Sequence, residues 1–251
     1  MKVCVLLRLV PDLVEELEIS ENEVVPFQYI PNERDEHAIE EAIVLKEKLK
    51  DVTLDVVGIA DPDSADEIDE GLGFAAAKGA DKLYKVILNR QTFSRVEIAK
   101  ALADFLNDRG YSLILTGVQA IDSFAGSLGG ALARFLNLPY IGGAVELNLN
   151  EKLYVKKELE GGISAEYRLP LPAVVGVLSA ERPLSFVPFT KLRQAMKRAE
   201  IEEVELEVPK ISGVELVRYE TPPEPDVLML EGDVEEVADR IVEVLRDISV
   251  I

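Results

Sequence analysis

The sequence predicts an α/β fold in which a parallel sheet carries helices on its flanks, followed by an antiparallel extension and a C-terminal arm. Three observations carry that expectation. Short apolar runs alternate with helical stripes from Met1 to Leu115, a rhythm that requires crossover connections and therefore parallel strands. Between Val145 and Leu169 the rhythm gives way to strand-like runs joined by a glycine turn. Beyond Pro183 it breaks again, into a basic amphipathic stretch, an acidic tract and a proline-rich segment.

Taken in order, Met1–Val10 reads as a buried strand ended by Pro11-Asp12, and Val14–Val25 as either a short hairpin or a charged excursion. From Arg34 to Leu49, Ala38, Ala42, Leu45 and Leu49 share one helical stripe, while Glu40, Glu41, Lys46 and Lys48 fall outside it. Leu54–Ile59 is a second strand and Asp61-Pro62-Asp63-Ser64 a turn. A helix then runs to Lys78, where Gly79 supplies the left-handed closing position. Leu83–Val86 is a third strand. Arg95–Arg109 is a helix with Ile98, Ala101, Leu102, Phe105 and Leu106 inward, closed by Gly110. Leu113–Leu115 is the fourth strand, and a helix is expected to begin near Ser123. Val145–Leu153, Lys156–Leu159 and Ser164–Leu169 are antiparallel strands, and Pro172–Leu178 returns to a buried one. Lys191–Arg198 is basic and amphipathic, and Thr221-Pro222-Pro223-Glu224-Pro225 is an extended linker. Asp233 caps a last helix with Glu236 three residues on, and Val234, Val237, Ile241, Val244 and Leu245 form its apolar stripe. The expected organisation is an α/β nucleotide-binding unit at residues 1–190, then a recognition helix, linker and arm at 191–251 that dock on a partner.

Composition narrows the function. With 48% hydrophobic and 29% charged residues the chain has the material for a real core. No apolar run approaches the roughly 18 residues of a membrane span, and no export signal is visible, so a cytoplasmic protein without membrane insertion is expected. One cysteine, Cys4 in the first strand, excludes an internal disulfide framework and reads as an inert buried thiol. A net charge of −20 argues against a nucleic-acid partner, because phosphate backbones need Lys and Arg. It leaves room for a local pocket in which backbone amides hold one nucleotide.

Motifs narrow it further. The single histidine, His37, lies on the first helix and reads as a structural residue, and no G-x-S-x-G elbow is present, so no catalytic residue is assigned. One Cys and one His cannot build a zinc site without carboxylates, and the Asp61 turn lacks the glycine and glutamate of a calcium loop, so no metal is expected. Gly71-Leu72-Gly73-Phe74-Ala75-Ala76 matches G-x-G-x-x-A, but no strand precedes it; it reads as small packing residues within a helix. Residues 117–130 pass that test. They follow a strand at the carboxyl edge of the sheet and combine Gln119, Asp122, Ser123 and Ser127 with four glycines. Spacing alone leaves a phosphate site and a plain tight turn both open, with Asp122 expected to cap the following helix.

At this point several motifs, in order, resemble the β subunit of electron-transfer flavoprotein. Val3–Asp12 resembles its V-x-V-x-V-K-x-V-x-D opening, with Arg8 at the lysine. Asn32–Ala42 is similar to N-P-x-D-E-x-A-x-E-E-A, Lys78-Gly79-Ala80-Asp81 to M-G-A-D, Gly117–Asp122 to G-K-Q-A-I-D, and Leu169–Val175 to L-P-A-V-V. The resemblance implies a nucleotide-binding, adenine nucleotide α-hydrolase-like fold and a non-enzymatic electron carrier. Its partners would be an α subunit, which holds most of the FAD site, and dehydrogenases. AMP, or a second FAD as in electron-bifurcating members, would sit in this chain on Leu6, Asn32, Ala60, Gly117, Gln119, Ala120, Ser123, Gly126, Ser127 and Leu128. The family's D-D-D-x-N-Q-T-G after Q-A-I is here Asp122-Ser123-Phe124-Ala125-Gly126-Ser127-Leu128-Gly129, which removes its Asn, Gln and Thr contacts. Phe186–Lys197 is similar to the family's recognition loop and basic helix, with Phe189 at the position that anchors dehydrogenases; the competing reading of Phe189 is a core residue beside a proline. A stand-alone adenine-nucleotide-binding or sensor protein of the same fold, or an electron-bifurcating flavoprotein component, is the alternative function, since fold does not fix function.

Overall fold

The computed structural model describes every residue except 16, 20–23, 63, 91–93, 212–216, 224–226 and 251. Asp63 of the expected turn, and Glu224 and Pro225 of the expected linker, lie outside the described residues. The first strand, β1 (Lys2–Pro11), is followed by a hairpin of β2 (Leu17–Ile19) and β3 (Val24–Pro26), which settles the Val14–Val25 segment as a hairpin. β4 (Tyr29–Pro31) then runs back antiparallel along the end of β1 and delivers the chain into α1 (Glu33–Lys48). Three β–α units follow: β5 (Thr53–Ala60) with α2 (Ile68–Lys78), β6 (Lys82–Leu88) with α3 (Arg95–Leu106), and β7 (Leu113–Gly117) with α4 (Leu128–Leu136). Gly79 (φ 123°) and Gly110 (φ 69°) close the second and third crossovers in backbone conformations that a side chain would strain.

The remaining elements extend this sheet at both edges. β8 (Tyr140–Ala144) leads into an antiparallel sheet of β9 (Glu146–Leu149), β10 (Leu153–Glu158) and β11 (Ser164–Leu169), then β12 (Ala173–Val177) returns to the main sheet. After α5 (Phe189–Arg198), β13 (Ile201–Leu206) pairs in parallel with β6, so the main sheet takes its edge strand from beyond residue 190. The chain's last helix is α6 (Val234–Asp247), whose Asp233 and Glu236 form the full capping box. The strand order of the main sheet is β13-β6-β5-β1-β7-β12-β8, all parallel, with β4 beside β1. The order reverses between β1 and β7, which makes their carboxyl ends the switch point of a doubly wound sheet.

Because side chains alternate across a strand, β1 serves two cores at once. Val3, Val5 and Leu7 pack with α1, α2 and the antiparallel sheet; Cys4 and Leu6 pack with α3 and α4. Each large apolar side chain so buried contributes roughly 1.5–3 kcal/mol before entropy is counted. The G-x-G of α2 serves packing, as expected: a Cβ on Gly71 would stand 3.1 Å from Leu7 and one on Gly73 2.5 Å from Met196 of α5.

Four sequence expectations need correction. Glu40 and Glu41 are buried, because distant partners reach them. α4 begins at Leu128, since the chain first makes a turn in which Phe124 N–H donates to the Ala120 carbonyl (2.8 Å). β8, beyond the end of that helix, is a strand that periodicity missed. The acidic tract begins as edge strand β13, in which Glu202, Glu203 and Glu205 are exposed.

Candidate functional site

A cavity of about 710 Å³ opens along the carboxyl ends of β1, β5 and β6, well within the roughly 300–1,000 Å³ of small-molecule sites. The strand ends give it Arg8, Ile59, Ala60 and Leu88. The β2–β3 hairpin adds Leu17, Ile19, Val24 and Val25, α3 adds Arg95 and Ile98, the turn after β7 adds Asp122 and Ser123, and the C-terminal segment adds Tyr219. One side of the cavity is thus apolar and the other charged.

The switch point itself is laced by polar groups of the chain. Asp35, in the first turn of α1, accepts hydrogen bonds from the N–H of Arg8 (3.0 Å) and of Gly117 (2.8 Å), tying the ends of β1 and β7 together. Burial raises its pKa against the pull of Arg8 and those two bonds. A side chain at Gly117 would collide with Asp35, so the glycine is required there. Asn32, fully buried ahead of α1, donates through Nδ2 to the Gln119 carbonyl (3.1 Å) and anchors the turn beyond β7.

That turn contains most of the sequence-predicted site. Gln119 is half-buried and Ala120 buried; Ser123, Gly126 and Ser127 are exposed. Phe124 adopts a left-handed backbone (φ 49°) with its ring in solvent, an uncommon state for a bulky residue and one that recurs at ligand sites. Ser127 stands at the N-cap of α4 without a side-chain cap, and Leu128, the helix's first residue, is buried. Asp122 does not cap this helix as expected. It pairs with Arg95 (3.3 Å) and accepts from Ser123 Oγ (2.9 Å), because Arg95 reaches it from α3. Next to the uncapped N-terminus, Thr116 Oγ1 is buried without a hydrogen-bond partner, and Gly129 passes so close that a Cβ would lie 2.8 Å from it.

Of the ten expected nucleotide residues, Ala60 and Ser123 line the cavity itself. Asn32, Gly117, Gln119 and Ala120 build the adjoining turn, and Leu6 lies on the same face of β1 as Arg8 but two residues deeper, inside the core. Sequence reading missed Arg95. The signal was available: an arginine directly after N-cap Ser94 opposes the helix dipole. Phe189 opens α5 with its ring 73% exposed, which removes the core reading, and Phe186 beside it is 87% exposed. His37 accepts through Nδ1 from the Ala180 N–H (3.2 Å) and joins α1 to the segment after β12; burial lowers its pKa. Cys4 is buried and its thiol pushed well up by burial, as an inert thiol should be.

This architecture and the position of its cavity can be set beside known proteins. The domain described as "Electron transfer flavoprotein domain" matches residues 27–209. The chain belongs to the electron transfer flavoprotein family. The electron transfer flavoprotein subunit beta of Methylophilus methylotrophus is 27% identical over 98% of both chains. Its Bacillus subtilis counterpart is 29% identical over 87% of this chain and 86% of its own. The human one is 32% identical over 75% of this chain and 74% of its own. Membership in this β-subunit family converts the motif resemblance into a finding, and the α/β fold with its parallel sheet agrees with it. Among the described residues, no helix is long and apolar enough to cross a membrane.

Proposed function

We propose that the chain is the β subunit of a heterodimeric electron transfer flavoprotein, a cytoplasmic carrier that shuttles electrons from dehydrogenases to an acceptor. FAD is held mainly by the α subunit, and the cavity of this chain takes an adenine nucleotide, AMP or a second FAD. The observation that carries this reading is the family match across residues 27–209, together with a nucleotide-sized cavity at the carboxyl ends of the parallel strands, to which that region contributes Ile59, Ala60, Leu88, Arg95 and Ser123. The residues suit such a ligand. Apolar side chains of the hairpin offer a surface for a ring system, and Arg8, Arg95 and Ser123 supply charged and polar groups to the same lining. Flavin, when bound, supplies the electron transfer, and the protein's part is to bind, orient and keep water away. In this reading Asn32 positions the Gly117–Leu128 turn beside the nucleotide, and exposed Phe189, with the basic α5 behind it, meets the dehydrogenase.

Co-expression with the genes beside its own tests the proposal. The expected result is a yellow heterodimer whose extracted nucleotides, identified by mass spectrometry, include FAD and an adenine nucleotide bound to this chain. A monomeric, colourless chain would overturn the carrier assignment, and a monomer that retains an adenine nucleotide would favour the sensor alternative.

A further inference from the structure

Two arginines face the same cavity, with the carboxylates of Asp61, Glu67 and Asp122 also in its lining; of these, Asp122 pairs with Arg95. Arg8 is 8% exposed and lines the cavity near the end of β1. Alternation along β1 turns it toward α3, where Arg95 stands with its side chain 12% exposed. Arg95 Nη2 donates to Asp122 Oδ2 (3.3 Å) and Ser123 Oγ (3.1 Å), but its Nε is buried with no hydrogen-bond partner. Among the described residues the Arg8 guanidinium makes no hydrogen bond or ion pair. Asp35, on which the Arg8 charge acts, accepts from backbone N–H groups with both oxygens. On the far wall Asp61 is engaged with Ser64 (2.7 Å).

Three effects therefore work against Arg95 where it stands. Burial and the neighbouring Arg8 both weaken its hold on its proton, and its place in the first turn of α3 opposes the helix dipole. A buried donor without an acceptor adds a further cost. One group relieves all of them: an oxyanion between the two guanidinium groups, whose planar forks match phosphate geometry. We propose that Arg8 and Arg95 form a clamp for a phosphoryl group in this cavity, with Arg95 Nε and the Arg8 guanidinium donating to its oxygens and Ser123 at its edge. The clamp rests on the nucleotide reading of the same cavity and names what holds the ligand's anionic end. The phosphoryl group comes from a nucleotide or from a free inorganic phosphate, and the probes below separate these sources.

The test is titration calorimetry of the full chain with AMP, adenosine and inorganic pyrophosphate, on wild type, Arg8→Gln, Arg95→Gln and Arg95→Lys. Thermal unfolding checks that each variant is folded. Either Gln variant should weaken AMP by about tenfold or more, the scale of a lost charged hydrogen bond, and leave adenosine unchanged. Arg95→Lys should rescue only part, because it keeps the charge and loses the fork. AMP binding unchanged in the folded Arg8→Gln and Arg95→Lys chains overturns the clamp while the nucleotide reading stands. Pyrophosphate binding that needs both arginines, with no AMP binding, supports the clamp and removes the nucleotide. A wild-type chain that binds neither anion removes both.

Discussion

Strand β1 has α1 and α2 over one face and α3 and α4 over the other, and the charged groups that meet residue 8 are handled differently on the two sides. Under α1, three buried carboxylates are matched by the chain's own donors. Asp35 takes two strand N–H groups. Glu40 takes Arg182 Nε (2.8 Å), Lys78 Nζ (3.1 Å) and both the N–H and the hydroxyl of Ser185 (3.1 and 2.8 Å). Glu41 takes the N–H of Leu147 (2.6 Å) and of Glu181 (3.0 Å). Toward α3, Arg8 and Arg95 line a cavity and one of their donors has no acceptor. A polar site that the chain completes is a structural lock; one left incomplete beside empty volume is a place for a ligand. Residue 8 belongs to both, through its amide on one side and its side chain on the other.

The largest effect should come from opening the lock. Asp35→Ala leaves two buried strand N–H groups without an acceptor, at about 1–3 kcal/mol each. Urea unfolding should show a loss of that order with an unchanged slope. A loss below about 1 kcal/mol would mean water or Asn32 replaces the carboxylate, and the two sides of β1 would then differ less than the geometry indicates.

Adjacent acids on α1 sharpen the contrast from within. Burial would raise Glu40, but its bonds to Arg182, Ser185 and Lys78 outweigh that and hold it at about 2. Glu41 has only backbone N–H donors and no cation in contact, so burial prevails and raises it to about 7. Its folded value lies above the unfolded one of about 4.5. The stability it contributes is therefore complete below about pH 4.5 and is lost as pH rises through about 7. The difference is on the order of 3 kcal/mol across that window. Denaturant midpoints at pH 5, 6, 7 and 8 should fall more steeply for wild type than for Glu41→Gln. Parallel curves would show that Glu41 ionises in the fold without cost.

How much of this was legible in the sequence depends on how far each partner lies along the chain. The α1 stripe, the G-x-G packing of α2, the glycine closures and the capping box of α6 are local patterns, and each stands where periodicity puts it. Glu40 and Glu41 were misplaced because a helical stripe counts only neighbours on the same helix, whereas their partners come from residues 78, 147 and 181–185. β8 was hidden by its own composition, Tyr-Ile-Gly-Gly-Ala. In the site, the Gly117–Leu128 turn could be found because glycines and hydroxyls at a strand end form a local signature. The Arg8–Arg95 pairing could not, since β1 and α3 meet only through the order of the sheet.

The turn offers a more modest test of where an anion rests. A Cβ at Gly126 would lie 3.0 Å from the Val118 carbonyl, so Gly126→Asp both crowds the turn and places a carboxylate beside the uncapped start of α4. Nucleotide affinity should fall by about 1.5–3 kcal/mol while the unfolding midpoint changes little, because residue 126 is exposed. Unchanged retention in that variant, with loss in Arg95→Gln, would assign the anion wholly to the arginine side.

The smallest effect on the chain's own stability is expected at the C-terminal arm, which is neither lock nor cavity. α6 carries an apolar stripe, yet none of its residues is buried; Val234 is 86% exposed, and Ile241 and Val244 are also in solvent. Its capping box holds the helix together without attaching it to the sheet. Deleting residues 221–251 should therefore shift the unfolding midpoint of the isolated chain by no more than about 0.5 kcal/mol, the usual scale of surface changes. In the proposed heterodimer the same stripe is the surface an α subunit would cover, each large side chain contributing roughly 1.5–3 kcal/mol before ordering is subtracted. The deletion should then weaken assembly in analytical ultracentrifugation of the co-expressed pair while leaving the isolated chain's melt in place. A truncated chain that melts early would show that the arm folds back on its own sheet, and a truncated chain that assembles as tightly as the full one would remove the arm from the interface.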